Sequence, residues 1–347
     1  MNGLAVSLAS RSGASAVEVA DLARSAEASG FDAVFLAERC ADGLTLAHSA
    51  LLATERLTVG TAIANAAVRH PAMTAMTAMT LAEESGGRFV LGLGVANAAL
   101  NETILGLSAT RPVSYMREYV GILRAVLGGH VTPPAGEYFS VAGFVPDRPP
   151  TAEVPIYLAG LLPKMLTLGG ELADGVFLNL MTTDSLPAAL THVDAGLSLA
   201  GRARSDTVVA CLLPCCISTD VEAAAGAARQ VVAGYAMHPA AGKLFSASGF
   251  SSELSQVRER LASGEQNAAE SVSDAMIDAF VAHGGPEVLA GRIQAYRDAG
   301  VDLPVLFPMP VDDGWIPATQ RVISAAGPSD VRITATTTPN RKDAQHV

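Results

Sequence analysis

Eight short apolar runs are spread over the first 307 residues, and most of them are followed by an amphipathic pattern typical of a helix. Runs that are apolar at nearly every position indicate strands buried on both faces. Their alternation with helices predicts a parallel sheet covered by helices. Eight such units predict an α/β fold, the closed (β/α)8 TIM barrel. The runs are Leu4–Leu8, Ala33–Ala37, Leu57–Ile63, Phe89–Gly94, Ile156–Ala159, Val176–Leu180, Val208–Leu213 and Val305–Phe307.

The polar positions between these runs divide the chain into barrel helices and one long insertion. The predicted barrel helices include Val17–Ser29, Leu44–Thr54, one that begins after His70-Pro71, and Pro286–Ala299 as the last. An alanine-rich stretch at about 221–282 predicts a helical insertion between the seventh strand and this last helix. The single barrel domain is expected to span residues 1–327. The polar residues 328–347 are expected to form a disordered tail.

Composition and charge narrow the class of partner. Of the 347 residues, 50% are hydrophobic and 16% are charged, which is enough apolar material for one large core. The net charge of -11 opposes binding to nucleic acid or to an anionic membrane, so neither is expected as a partner. Four cysteines without metal-site or disulfide spacing fit the reducing cytoplasm, and no metal is expected. Three of them, Cys211, Cys215 and Cys216, are expected to be buried thiols.

Several sequence motifs occur along the chain, and both their residues and their order are informative. Ala26–Phe35 covers the first helix and the second strand, Arg69-His70-Pro71 opens the third helix, and Thr80–Gly94 covers its end and the fourth strand. Further motifs lie at 116–119, 136–139, 169–176 and 286–302. Together they cover about residues 3 to 310 and resemble the bacterial-luciferase-like superfamily of flavin and deazaflavin oxidoreductases. That resemblance implies a TIM barrel, a redox cofactor, a small-molecule substrate and a homodimer.

Two segments point to one branch of this superfamily. The segments Ala159–Lys164 and Leu100-Asn101-Glu102 are more similar to the deazaflavin-using branch, the methylenetetrahydromethanopterin reductase type, than to the luciferases. The resemblance therefore favours coenzyme F420 as the cofactor, and FMN is the alternative.

The resemblance also implies where the cofactor ring lies. In the superfamily the ring lies over a bulge in the third strand, often with a non-proline cis peptide bond. The matching positions are Ala62 and Ile63, followed by Asn65. From these residues alone, an ordinary strand end with a solvated loop is the alternative. Asn179, at the end of the sixth strand, is expected to contact the cofactor or to serve only as a turn former.

The cofactor phosphate needs backbone N–H donors, which a helix N-terminus offers. Gly160, Leu161 and Leu162 lie between Ala159, at the end of the fifth strand, and a predicted helix. We expect these four residues to line the cofactor site, with the N–H groups holding the phosphate. Lys164 adds a positive charge in this interpretation and is a solvated helix residue in the alternative.

The chain departs from the family pattern at two positions. Where relatives have an acidic residue followed by histidine, this chain has Glu38 and Arg39, followed by Cys40. Arginine stays protonated and cannot act as a general base, but it can stabilise a developing negative charge or hold an anionic substrate. A salt bridge between Arg39 and Glu38, and a merely small buried Cys40, are the alternatives. Ala98 also stands where the sugar dehydrogenases of the family have an acidic glutamate.

These observations predict an oxidoreductase with catalytic candidates Arg39, Glu38 and Cys40. The favoured reaction is F420-dependent hydride transfer to or from a small organic substrate. The alternatives are a reduced-FMN-dependent monooxygenase and a non-catalytic, degenerate flavin-binding member of the family. The walls of the substrate pocket are expected to include Phe144, Met181, Tyr235 and Phe245.

Overall fold

Eight parallel strands close into a barrel in the computed structural model, which describes residues 3–8, 13–38, 41–96, 101–102, 105–107, 111–132, 136–141, 143–265 and 267–327. The strands are β1 (Ala5–Leu8), β2 (Ala33–Leu36), β3 (Thr58–Thr61), β4 (Ala64–Asn65), β5 (Phe89–Gly94), β6 (Ile156–Ala159), β7 (Gly175–Leu178), β8 (Val208–Ile217), β9 (Ala282–Gly284) and β10 (Leu303–Pro308). Closure follows because β10 pairs in parallel with both β1 and β8. The two short strands, β4 and β9, pair with β5 and with the far end of β8.

Helices cover the outside of this barrel. They are α1 (Ala16–Ala28), α2 (Gly43–Ala53), α3 (Pro71–Glu84), α4 (Pro112–Leu127), α5 (Pro163–Leu172), α6 (Leu186–Leu199), α7 (Val221–Ala236), α8 (Pro239–Ala247), α9 (Ser251–Ala262), α10 (Asp274–Phe280), α11 (Val288–Asp298) and α12 (Trp315–Ala326). The predicted TIM barrel is confirmed. Among the helices described, each is too short or too polar to cross a membrane.

The order at the end of the barrel corrects one prediction. The sequence analysis took Pro286–Ala299 for the last barrel helix, but α11 precedes β10, and α12 follows it. Helix α12 buries Ala318, Val322 and Ile323 on one face, which is the amphipathic spacing of a covering helix. The sequence analysis missed α12 because no apolar strand follows this helix to indicate that it belongs to a β/α unit of the barrel. The predicted tail, 328–347, lies outside the described residues.

The predicted helical insertion is present as α7 to α10, between β8 and β9. These helices pack around a small core of their own, in which the rings of Phe245 and Phe280 lie 4.7 Å apart. Strand β8 runs further than the predicted end at Leu213, because Cys215 and Cys216 pair with β9. Both thiols and that of Cys211 are buried, as expected, and burial raises the pKa of each.

The barrel interior mixes large rings with glycine. Phe35 and Phe177 meet edge to face inside the barrel with ring centroids 4.9 Å apart. Gly92 of β5 leaves space for its neighbours, since a Cβ there would lie 1.8 Å from the Thr61 carbonyl oxygen and 2.8 Å from the Phe177 ring. Thr61 also donates its hydroxyl to the Gly92 carbonyl oxygen at 2.7 Å. Strands β3 and β5 therefore approach closely only because this position lacks a side chain.

Replacing Gly92 with alanine is expected to destabilise the fold by about 3 kcal/mol or more, because backbone must move to admit the Cβ. Urea unfolding measures the effect. The matched control is Gly121→Ala in α4, where a Cβ meets nothing within 4 Å. This control should gain about 0.5–1 kcal/mol, since alanine favours the helix over glycine. Equal stability of the Gly92→Ala variant and the unsubstituted protein would contradict the close approach.

Candidate active site

A bulge interrupts the third strand at the carboxyl end of the barrel. The peptide bond between Ala62 and Ile63 is cis, which confirms the expected non-proline cis peptide at these positions. The bulge is held to β2 by two backbone hydrogen bonds. The N–H of Ala62 donates to the carbonyl oxygen of Leu36 at 2.8 Å, and the carbonyl oxygen of Ile63 accepts from the N–H of Glu38 at 3.1 Å.

The side chain of Asn65 supports the bulge through hydrogen bonds to neighbouring residues. It is 2% exposed, and its side-chain Nδ2 donates to Oδ1 of Asn101 at 2.8 Å while its Oδ1 accepts from the N–H of Ala67 at 3.1 Å. Asn101 in turn donates to the carbonyl oxygen of Val95 at 2.6 Å. Asn65 was predicted to contact the cofactor directly. In the structure its side chain bonds to protein groups and supports the bulge, and its contact with a cofactor stays a prediction.

Glu38 joins the end of β2 to Asn65. Its side chain is 9% exposed, and Oε2 accepts from the N–H of Asn65 at 2.8 Å. Its Oε1 accepts from Nη2 of Arg69 at 2.6 Å and from Nε at 3.2 Å. The carboxylate holds the pKa of Arg69 above its ordinary value. Arg69 also pairs with Asp42, the residue that caps α2, at 3.0 Å.

This arrangement adds to the predicted role of Glu38. Its carboxylate accepts from Arg69 and from the Asn65 backbone, so Glu38 positions the bulge, and its catalytic role stays a prediction. The alternative partner named from the sequence, Arg39, lies outside the described residues, as does Cys40. Ala98 lies outside them as well.

A cleft of about 590 Å³ opens above the bulge, between the ends of β5 and β6 and the starts of α4, α5 and α8. Six of the nine predicted cofactor-site residues line it: Ile63, Ala159, Gly160, Leu161, Leu162 and Lys164. Gly94 leaves space at the base of the cleft, because a Cβ at this position would lie 3.2 Å from both Ala159 Cβ and Ile63 Cδ1. The volume is within the range of about 300–1,000 Å³ that small-molecule sites occupy.

Backbone donors lie where the sequence predicted them, with one correction. The N–H of Gly160 donates to the carbonyl oxygen of Phe177 at 3.0 Å, so this amide is already used. Within the described part of the chain, the N–H groups of Leu161, Leu162 and Lys164 have no acceptor. They lie at the start of α5, where unpaired amides and the helix dipole favour an anion.

Two more helices point their N-termini at the same cleft, which the sequence analysis missed. Helix α4 contributes Pro112 and Val113, and α8 contributes His238 and Ala240. Like α5, both helices have proline at the first turn, a recognisable helix-start signal. Nδ1 of His238 accepts from the N–H of Ala241, and burial lowers the pKa of His238. Three positive helix ends therefore surround the cleft.

The other residues predicted for the cofactor site or the pocket walls do not line the cleft in the described structure. The Oδ1 of Asn179 accepts from the N–H of Leu180 at 2.9 Å, and Leu180 has a left-handed φ of 56°, so Asn179 acts in the turn, as the alternative held. Ala62 is 8% exposed and packs inside the barrel. Among the expected pocket walls, Met181 is 2% exposed and belongs to the core.

Ser7 is a candidate that the sequence analysis overlooked. It is 2% exposed at the carboxyl end of β1, and its hydroxyl has no hydrogen-bond partner among the described residues. It alternates with Ala5, which belongs to the cluster inside the barrel, so Ser7 also faces inward. A serine at the end of an otherwise apolar strand was the signal available.

The chain is similar in sequence and fold to known reductases. The family described as luciferase-like monooxygenase matches residues 4–303. The chain is 34% identical to 5,10-methylenetetrahydromethanopterin reductase of Archaeoglobus fulgidus, over 80% of this chain and 85% of that one. It is 30% identical to the reductase of the same name of Methanolobus tindarius, over 82% and 88%. The coenzyme F420-dependent tetrahydromethanopterin reductase of Methanopyrus kandleri has the same fold, with a TM-score of 0.81, 24% identity and coverage of 94% and 97%.

Replacing Glu38 with glutamine should loosen the bulge, because the charge-assisted bonds to the Asn65 amide and to Arg69 weaken. Hydrogen exchange at the Asn65 amide is expected to accelerate by roughly 10- to 100-fold, equivalent to about 1.5–3 kcal/mol. Asp42→Asn is the matched control, since it removes a half-exposed partner of the same arginine and keeps a capping residue. The control should leave Asn65 exchange unchanged. Unaltered exchange in the Glu38→Gln variant would show that the carboxylate does not hold the bulge.

Proposed function

Because this chain belongs to the luciferase-like monooxygenase family, we propose that it is an oxidoreductase that uses coenzyme F420 to transfer a hydride to or from a small organic substrate. The observation that carries the proposal is the cleft beside the cis bulge, where amides at the start of α5 have no acceptor among the described residues and border an apolar space. Family membership and the barrel agree with the resemblance inferred from the sequence motifs.

The cleft fits a planar ring with an anionic tail. Ile63, Ala159 and Met165 supply apolar walls, and the missing side chain at Gly94 leaves room between them. The unpaired amides at the start of α5 are suited to a phosphate, to which Lys164 adds charge. Bound F420 supplies the ring carbon through which substrate and cofactor exchange a hydride, that is, one proton and two electrons. The chain's own residues bind the ring, orient it and keep water away.

The number of helix N-termini favours F420 over FMN. FMN carries a single phosphate, whereas F420 carries glutamate carboxylates beyond its phosphate. The starts of α4, α5 and α8 together offer positive ends to several anionic groups. The similar Methanopyrus kandleri enzyme is F420-dependent, which supports the same choice.

The catalytic assignment rests on the residues that follow the anchored Glu38. We propose that Arg39 stabilises negative charge that develops on the ring or the substrate, because its guanidinium stays protonated. Cys40 remains a further candidate beside it. The proposal also includes a homodimer, a cytoplasmic location and no nucleic-acid partner, as expected from the sequence.

Cofactor binding is the direct test. The purified protein is expected to retain F420 on ultrafiltration and to bind it more tightly than FMN, as followed by the absorbance of the ring. A deuterated substrate should then transfer its label to F420 without oxygen uptake. Tighter binding of FMN with oxygen-dependent product would support the monooxygenase instead. Binding of neither cofactor would support a degenerate, non-catalytic member.

Replacing Lys164 with glutamine should weaken F420 binding roughly fivefold at low salt, and less at high salt, because an exposed charge near an anion is readily screened. The matched control is Lys243→Gln on α8, an exposed lysine outside the cleft lining. Titration of each variant with F420 measures the effect. If the two variants bind equally well, Lys164 is the solvated helix residue of the alternative interpretation.

A further inference from the structure

A second, smaller chamber lies between α7 and the segment that follows β10. Its volume is about 240 Å³, and its walls include Val231 and Tyr235 of α7, Phe307 at the end of β10, Met309 just after it, and Trp315 at the start of α12. Every residue described in its lining is uncharged. Of the pocket walls expected from the sequence, Tyr235 lies here, whereas Phe245 is fully buried in the core of the insertion.

The chamber shares the mouth of the barrel with the cofactor cleft. Phe307 follows Leu303 and Val305 at alternate positions of β10, and those two side chains belong to the cluster inside the barrel. The Phe307 ring therefore stands at the carboxyl rim. In the closed sheet β10 is the fourth strand from β5 in either direction, so it lies across the mouth from Gly94 of the cleft.

A buried hydroxyl on the neighbouring strand lies beside the chamber, although Ser7 is not one of the lining residues. The register pairs Ala5 with Val305 and Val6 with Leu306, which places Ser7 beside Phe307 at the rim. The Ser7 hydroxyl is buried and lacks a partner in the described structure. A buried hydroxyl without a partner is costly unless a bound molecule supplies one.

We propose that this chamber binds the substrate, and that the substrate is a small, uncharged organic molecule with an apolar body and one hydrogen-bonding group. The proposal rests on the proposed F420-dependent function, because that function places the reacting ring at the same mouth. Charged groups are disfavoured, since the described lining offers them no side chain of opposite charge and burial removes their water, whereas Gln230 of the lining suits a single neutral hydrogen-bonding group. The volume is below the roughly 300–1,000 Å³ of pockets for drug-sized ligands, which limits the substrate to a smaller molecule.

A pair of glycine variants on one helix tests the chamber. Gly234 lines it, Gly226 does not, and a Cβ at either position of α7 meets nothing within 4 Å. Gly234→Leu should fill the chamber, and Gly226→Leu should leave it open. Both variants gain helix propensity equally, so their unfolding midpoints are expected to match. Trp315, the single tryptophan of the chain, reports occupancy through its fluorescence.

Cyclohexanone is the probe, and cyclohexanecarboxylate is its charged counterpart. In the protein without cofactor, cyclohexanone should change Trp315 emission saturably in the unsubstituted protein and in Gly226→Leu. The Gly234→Leu variant should bind it at least tenfold more weakly, and the carboxylate should bind the unsubstituted protein at least tenfold more weakly. Equal binding in both variants, or equal binding of the carboxylate, would overturn the proposal.

A separate titration distinguishes this proposal from the proposed function. F420 binding, followed by absorbance of its ring, should be equal in the unsubstituted protein and in both variants. Failure of the unsubstituted protein to bind F420 would count against the proposed function, and the substrate role of the chamber would fail with it. The other outcome is normal F420 binding while the Gly234→Leu variant binds cyclohexanone as tightly as the unsubstituted protein does. That result would overturn the substrate role of the chamber and leave the proposed function standing.

Discussion

The buried carboxylate of Glu38 is the interaction on which the cofactor side of the mouth depends. It links the end of β2 to the Asn65 amide below the cis bulge and to Arg69 ahead of α3. A carboxylate this buried is tolerated because a guanidinium and a backbone amide both satisfy it. Without it, the Asn65 amide would lose its acceptor and Arg69 its most buried partner. The position of Ile63, which lines the cleft, therefore depends on the Glu38 carboxylate at the end of the neighbouring strand β2.

The described start of α5 gives the cleft the electrostatics of an anion site, although the whole chain carries a net charge of -11. Fixed backbone dipoles explain this, since three helices begin at the cleft and, among the described residues, the N–H groups at the start of α5 have no acceptor. These donors need no mobile side chain and are set in place by the fold before a ligand arrives. Lys164 adds only an exposed, screened charge. Selection of an anionic cofactor thus depends more on helix placement than on the count of basic residues.

Two cavities lie on opposite sides of the barrel rim. The cleft beside β5 and β6 combines apolar walls with amide donors, whereas the described lining of the chamber beside β10 is uncharged and mostly apolar, with Gln230 as a polar exception. Such a division suits a reaction in which the cofactor brings the charge and the substrate brings only the reacting carbon. The insertion contributes to both cavities, through His238 at the cleft and Tyr235 at the chamber.

The sequence by itself determined the barrel, because apolar runs and helix periods are local patterns that each segment carries alone. Family resemblance added the cis bulge and the amides of Leu161 and Leu162. Only the tertiary structure decided that Glu38 pairs with Arg69 and that Asn65 pairs with Asn101. Partners about thirty residues apart, like the meeting of three helix starts, leave no periodic trace in the chain. Which polar group remains free is therefore settled by packing, after the strands have closed.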